Sequence, residues 1–366
     1  MNVFPWQNAR WQEIALRFDR LPHAILISGA PGSGLLQFAQ ALAQRLLCET
    51  ASGTAPACER CPACLWFNGH GHPDYLMLRP PADMDAPELE DASEESEGGT
   101  DKTERKALSR QILIDQVRTA SDFMSVGAHQ GGRRVVLIEP AEAMNVQAAN
   151  ALLKMLEEPP PHGVFLLVSY SVRRLLPTLR SRCRIIAMPK PDPAAAIPWL
   201  EAQGLSDAAL LLAAAGGAPL RAVEFARGGQ GERRRDFARG LARLPQGGDP
   251  LELAAQWQTW VADSKNPQVA RVDLPLIVNW MQEWAADLGA LALGGSVRFF
   301  PEQAADLRRL AESGNSARIG AWYNDLCRMR GVSGHTLNAR LFIEDMLLRY
   351  LRSMARAAQP PARRPA

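Results

Sequence analysis

No apolar run in this chain approaches the roughly 18 residues needed to cross a bilayer. The N-terminal stretch MNVFPWQNARWQE lacks the basic patch and following apolar segment of a secretory leader. These two absences make the cytoplasm the expected compartment and a membrane an unexpected partner. No Gly-X-Y period is present, and 47% hydrophobic with 22% charged residues excludes a collagen-like or wholly disordered polypeptide. Cysteine is scarce, six in 366 residues, and a cytosolic chain of this length needs no disulfide framework. At about 150 residues per domain, two or three domains are expected.

Basic residues are missing from one stretch. Between Asp83 and Asp101 stand nine acidic residues and no basic one, which leaves 30 acidic against 41 basic residues elsewhere, a net of +11. Such an excess suits nucleic acid or another polyanion, although arginines scattered over solvated faces give the same total. Residues 82–106 are acidic and poor in large apolar side chains, so a disordered loop is expected there.

What is present is an alternation. AILISGA at 24–30, RRVVLIE at 133–139 and GVFLLVS at 163–169 read as buried strands, and YLML at 75–78 is a candidate for another strand. Between and after them, LLQFAQALAQRLL at 35–47, ILIDQVRTASDFM at 112–124 and NVQAANALLKMLEE at 145–158 carry helical spacing. Continuously apolar strands alternating with helices imply a parallel sheet covered on both faces. Beyond about residue 190 no comparable strand is found. Residues 192–227 read as a small helical unit, GGQGE at 228–232 as a break, 233–351 as a larger helical domain, and AQPPARRPA as a frayed tail. Trp257/Trp260 and Trp280/Trp284 share helix faces and are expected in a core. The isolated Cys183 and Cys327 are expected to be small buried residues.

Between the first strand and helix lies Gly29-Ala-Pro-Gly32-Ser33-Gly34-Leu35-Leu36, the context of a phosphate-binding G-x-x-x-x-G-K-[ST] loop. Gly29, Gly32 and Gly34 would let backbone N–H groups wrap a phosphate at the helix N-terminus. Leu35 stands where the lysine should reach the β- and γ-phosphates, and Leu36 where a hydroxyl should ligate Mg²⁺. The later strand ends in Glu139-Pro140 where Asp-Glu is expected, and proline can orient no water. Two lesions at opposite ends of one site point to an NTPase fold without hydrolysis.

Cys58-x2-Cys61-x2-Cys64, with Cys48 ten residues upstream, has the ligand density of tetrahedral zinc. Cys48 is preferred as fourth ligand because it lies where the first long helix ends; His70 and His72 are its rivals. An iron–sulfur run begins similarly but requires a cysteine at x3 after Cys64, which is missing.

Leu176-Pro-Thr-Leu-Arg180-Ser181-Arg182-Cys183 follows the fourth strand, with arginines at 173, 174, 180, 182 and 184. Together with ANALLKMLEEPP, GAPGSG and the four cysteines, this segment resembles the clamp-loader AAA+ subunits of bacterial DNA polymerase III. The resemblance runs in order from about His23 to Arg227 and more loosely beyond. The changes at Leu35, Leu36, Glu139 and Pro140 set the chain apart from the ATP-hydrolysing gamma/tau type. The resemblance implies an α/β AAA+ domain at 1–189 with a Cys₄ zinc insertion at 48–64, an all-α lid at 190–228, an all-α collar at 229–352 and a disordered tail at 353–366. It implies that Arg182 is an arginine finger acting in trans on ATP at a neighbouring subunit, that Ser169 holds the sensor-1 position, and that Arg221 of Gly217-Ala-Pro-Leu-Arg221 holds sensor 2. ATP would then belong to neighbouring subunits and structural zinc to this one. The implied partners are gamma/tau and delta subunits in a hetero-oligomer, with the sliding clamp and primer-template DNA reached through the complex. An active motor subunit and a zinc-stabilised DNA-binding protein are the alternatives; turnover of ATP would mark the first, and salt-dependent DNA binding by the isolated chain the second.

Overall fold

The computed structural model describes residues 3–83, 109–126, 132–227, 230–263, 272–335 and 337–354. The chain folds as two compact units that divide after Asp192. From residue 84 onward the acidic stretch expected as a loop lies outside the described residues, as does the tail beyond Met354.

In chain order the first unit contains α1 (Asn8–Ala15), β1 (Ala24–Ser28), α2 (Leu35–Leu47), α3 (Pro62–Asn68), β2 (Tyr75–Leu78), α4 (Ile114–Ser125), β3 (Arg134–Ile138), α5 (Val146–Glu157), β4 (Gly163–Ser169), α6 (Pro177–Arg182) and β5 (Arg184–Ala187). The five strands make one parallel sheet in the order β2-β3-β4-β1-β5. Successive side chains of a strand point to opposite faces, so an unbroken apolar run needs cover on both. Ile25, Ile27, Val135, Leu137, Leu166 and Val168 pack against Trp11 and Ile14 of α1 and Phe38 and Leu42 of α2. Leu26, Val136, Ile138, Phe165 and Leu167 pack against Val117 of α4, Leu152 of α5 and Leu179 of α6. Burying each such side chain contributes roughly 1.5–3 kcal/mol, which is why β1, β3 and β4 hold the centre. Local signals agree with this packing. The Asn145 side chain caps α5 by accepting from Ala148 N–H at 2.8 Å, and Pro159–Pro161 follow its end. At the other end of the sheet Arg134 and Asp74 form a buried ion pair at 3.0 Å.

The sequence did not announce β5. It is four residues long, begins with an arginine and has no fully buried position, so it lacks the continuous apolar run that marks its neighbours. It becomes a strand because β1 offers an open hydrogen-bonding edge, with Ile25 opposite Arg184 and Ser28 opposite Ala187.

The second unit is helical among its described residues: α7 (Pro193–Ala202), α8 (Ala208–Ala214), α9 (Pro219–Arg227), α10 (Gln230–Arg243), α11 (Pro250–Asp263), α12 (Leu274–Ala292), α13 (Ala304–Ser313), α14 (Ser316–Val332) and α15 (Ala339–Met354). The expected break at 228–232 is already helix from Gln230, and α15 continues to Met354 where a tail was expected from residue 353. Trp257, Trp260, Trp280 and Trp284 are all buried, as their helical spacing predicted. Phe237 joins them: its ring stacks on Trp257 at 4.6 Å, meets Trp280 edge-on at 5.5 Å and stacks on Phe300 at 6.2 Å. Cys183 is buried as expected, and burial pushes its thiol up to about 11. Cys327 is a correction. It is exposed on α14, where Gln282 Nε2 donates to its sulfur at 3.4 Å.

Phe237→Ala should open a cavity that the surrounding indoles cannot close, at a cost of roughly 3–5 kcal/mol. A urea titration followed by tryptophan fluorescence reads this as a lower midpoint at unchanged slope; a loss under about 1 kcal/mol would show that the aromatic cluster repacks freely.

Candidate functional site

The loops at the carboxyl ends of β1, β3 and β4 meet where a parallel α/β sheet characteristically binds its ligand. Gly29 N–H donates to Ser169 O at 3.3 Å, which ties the glycine loop to the end of β4. Gly32 and Gly34 have φ of 74° and 86°, left-handed conformations that other residues reach only with strain. Gly34 is the cap residue of α2. The three glycines and Ser169 therefore come together as expected, in a loop of the phosphate-binding type.

The loop lacks the lysine and the hydroxyl of the G-x-x-x-x-G-K-[ST] pattern, and other side chains fill the space around it. Leu35 is 1% exposed and belongs to the core beneath the sheet. Its side chain runs back under the loop, since a Cβ added at Gly29 would meet Leu35 Cδ2 at 3.1 Å. Leu36 is half-buried against the same cluster. The N-terminal segment is strapped across the start of α2. Trp6 Nε1 donates to Ser33 O at 2.9 Å, and Gln7 Nε2 donates to Ser33 O at 3.1 Å and Gly34 O at 2.8 Å. The Phe4 ring stacks on Trp6 at 4.8 Å and lies so close to the loop that a Cβ on Gly34 would meet it at 2.6 Å. Sequence reasoning missed this strap, because its bonds join residues 26 and 27 positions apart through backbone carbonyls.

Glu139 directly follows β3 and is buried. Both of its oxygens are engaged: Arg79 Nε donates to Oε2 at 3.1 Å, and the Tyr170 hydroxyl donates to Oε1 at 2.6 Å. Burial and the neighbouring Glu139 charge push the Tyr170 phenol well above its usual range, so it stays a donor. A buried carboxylate is costly unless paired, and here the partners are side chains. Ser169 is fully buried, and its hydroxyl accepts from Ser171 N–H at 3.2 Å.

The four cysteines form the second site. Cys48, Cys58, Cys61 and Cys64 offer sulfur atoms that all lie within 4.8 Å of one another. Cys48 Sγ is 3.9 Å from Cys61 Sγ, and Cys58 Sγ is 3.9 Å from Cys64 Sγ. Four sulfurs at about 2.3 Å from a tetrahedral zinc stand about 3.8 Å apart, so the set fits that ion. Backbone N–H groups already point at two sulfurs, Cys58 N–H to Cys48 at 3.4 Å and Cys61 N–H to Cys58 at 3.3 Å. The Thr50 hydroxyl, with the N–H groups of Arg60 and Cys61, pulls the Cys58 thiol down to about 5. Burial pushes Cys48 up, but N–H groups of Cys58, Thr50 and Ala51 outweigh it and its pKa is lowered. Burial raises that of Cys64. The rival ligands lie outside the cluster. His72 Nδ1 accepts from Asp74 N–H at 3.0 Å, and burial lowers its pKa. His70 is exposed at a φ of 59°.

Arg182 closes α6 with its side chain 36% exposed, and it pairs with Glu157 at the end of α5. Arg221 belongs to the second unit. There its guanidinium lies 3.4 Å from Glu283 and over the Phe225 ring at 4.9 Å. Arg234, which is buried, takes the other oxygen of Glu283 at 2.7 Å. No sequence motif marked Arg79, Tyr170, Glu157 or Glu283 as partners of the expected site residues.

The family described as DNA polymerase III, delta subunit, matches residues 7–192, about half of the chain. The DNA polymerase III subunit delta' of Pseudomonas aeruginosa PAO1 is 35% identical over 95% of this chain and 97% of its own length. That of Escherichia coli K12 is 28% identical over 95% of each chain. Among solved structures, a DNA polymerase III gamma subunit-related protein from Thermotoga maritima covers 95% of this chain and 100% of its own at 16% identity, with a TM-score of 0.43. On the strength of the matched family and the near-full-length relatives, the chain belongs to the family of DNA polymerase III delta' subunits.

Proposed function

We propose that this chain is the non-hydrolysing subunit of a bacterial clamp loader, acting in the cytoplasm within a hetero-oligomer of gamma/tau and delta subunits. In this reading it helps to open the sliding clamp and place it on primer-template DNA. The observation that carries the reading is a phosphate-type loop whose nucleotide fittings have been replaced, in a chain that keeps an exposed arginine at Arg182. Leu35 fills the lysine position from within the core, the Phe4–Gln7 strap lies against the loop, and Glu139 already holds Arg79 and Tyr170. These residues do not fit Mg-ATP, so nucleotide is assigned to neighbouring subunits.

The role of Arg182 follows from its chemistry. A guanidinium stabilises charge on transferring phosphoryl oxygens, and its planar fork meets two oxygens at once. Held by Glu157 in the free chain, it would turn to the more strongly charged phosphate of a neighbour. Ser169 and Arg221 hold the sensor positions, but with Ser171 and Glu283 as partners they serve here as structural groups. Residues 190–228 are assigned as the lid and 229–352 as the collar. Cys48, Cys58, Cys61 and Cys64 would hold structural zinc, which would fix the chain between α2 and α3 and leave no coordination position open for chemistry.

Purified from cells, the chain should carry a single zinc, and Cys→Ser at any of the four cysteines should lower metal content and thermal stability. Metal-free protein of full stability would remove the zinc assignment.

The isolated chain should show no ATPase, and Leu35→Lys with Leu36→Thr should not create it, because Pro140 still orients no water. Steady turnover by the unaltered chain would favour the motor reading.

In a reconstituted complex, Arg182→Ala should leave assembly and zinc content normal while DNA-stimulated ATPase and clamp loading fall. A finger contributes roughly 10³ to 10⁵ at its own site, and the intact sites of the loader should reduce the loss in total turnover. Arg182→Lys should rescue poorly. Wild-type loading by the alanine complex would reduce Arg182 to a surface residue.

A further inference from the structure

We propose that the outer edge of β5 is a docking site for an acidic, extended segment of a partner protein, which adds to the sheet as a sixth strand. Among the described residues β5 ends the strand order and pairs only with β1. Met188 N–H donates to Ser28 O at 2.7 Å. In a parallel ladder the backbone groups of alternate residues face the same neighbour, so residues 184, 186 and 188 face β1. The N–H and C=O of Ile185 and Ala187 therefore face outward, and among the described residues neither has a hydrogen-bond partner. An edge of this kind is a template for another chain.

The surroundings state the chemistry of that chain. A groove of about 500 Å³ runs between this edge and α1. Arg10, Arg17, Arg20 and Arg184 line it, and Glu13 is the one acidic residue among its described lining. Glu13 is taken by Arg10, while Arg17, Arg20 and Arg184 are exposed and have no acidic partner among the residues whose side chains the structure describes, Asp19 not being one of them. Arg184 is in register with Ile25, whose side chain packs with α1. Arg184 thus stands on the same face of the sheet as the arginines that follow and belong to α1. Ile185 is in register with Leu26 on the opposite face and is 45% exposed. An added strand would set every second residue against the arginines and the residues between them beside Ile185. Alternating acidic and apolar residues satisfy both faces. A nucleic acid would satisfy the arginines but leave the outward backbone groups and Ile185 unmatched, so the polypeptide is favoured.

The test uses the full chain and three fluorescent probes: a peptide of about ten residues alternating Glu and Val, its Lys/Val counterpart, and a single-stranded oligonucleotide of similar charge. The acidic peptide should bind, and raising salt from about 50 mM to about 300 mM should weaken it. Combined Arg17→Ala, Arg20→Ala and Arg184→Ala should reduce affinity roughly tenfold. Ala187→Pro removes an outward N–H without touching the ladder to β1 and should reduce affinity about fivefold. If proline disturbs the fold, Ile185→Glu, at an exposed position, should weaken binding in a chain of unchanged melting temperature. Absence of binding, equal binding of the lysine peptide, or affinity indifferent to all the variants would overturn the proposal. Preference for the oligonucleotide would overturn it in favour of a nucleic-acid surface.

Discussion

Apolar cover on both faces of β1, β3 and β4 is the constraint on which the first unit depends. Side chains alternate along a strand, so each of these strands can sit only between two layers of helix. α1 and α2 supply one layer and α4, α5 and α6 the other. Parallel strands then send all their carboxyl ends to one edge. That edge gathers the glycine loop, Glu139 and Ser169, although the loop lies more than a hundred residues from the other two in sequence. The architecture makes a ligand-binding edge whether or not a ligand is used.

What distinguishes this chain is how that edge is finished. A phosphate loop exposes backbone N–H groups and needs a cation or a ligand to complete it. Here the protein packs its own side chains against that loop. Leucine extends the core up to the loop, a tryptophan and a glutamine bind the loop carbonyls, and an arginine and a tyrosine occupy the carboxylate at the end of β3. Each of these contacts ties the edge to its own fold, which is the basis on which chemistry is proposed for an outward-facing residue instead.

The sequence made the central elements legible because their signals are strong and local. β2, α2 and β4 fall at the residues that periodicity assigned, and the four cysteines converge as their spacing required. Physical reasons explain the misses. β5 takes its conformation from the edge of β1, not from its own four residues. Cys327 follows no packing stripe, and its exposure depends on which side of α14 the aromatic core claims. The strap from Phe4 to Gln7 binds main-chain oxygens, which carry no residue identity, so no pattern of letters foretells it. The pairs Arg79–Glu139 and Arg182–Glu157 join segments whose proximity only the sheet order creates.

The position of Leu35 has a consequence for any attempt to build a nucleotide site at this edge. With Leu35 part of the core, a lysine there must bring an ammonium into a space shared with Phe38 and Ile27, and burying that charge unpaired costs stability at once. Freeing the loop also means undoing the strap, and restoring the metal ligand means unlocking Glu139. Under the proposed function none of these steps alone supplies a complete nucleotide site, and the first places a charge in the core. On the proposed non-hydrolysing reading, rebuilding a nucleotide site at this edge is therefore a problem of the core first and of the loop second, because the position that must carry the charge is one the fold already commits to packing.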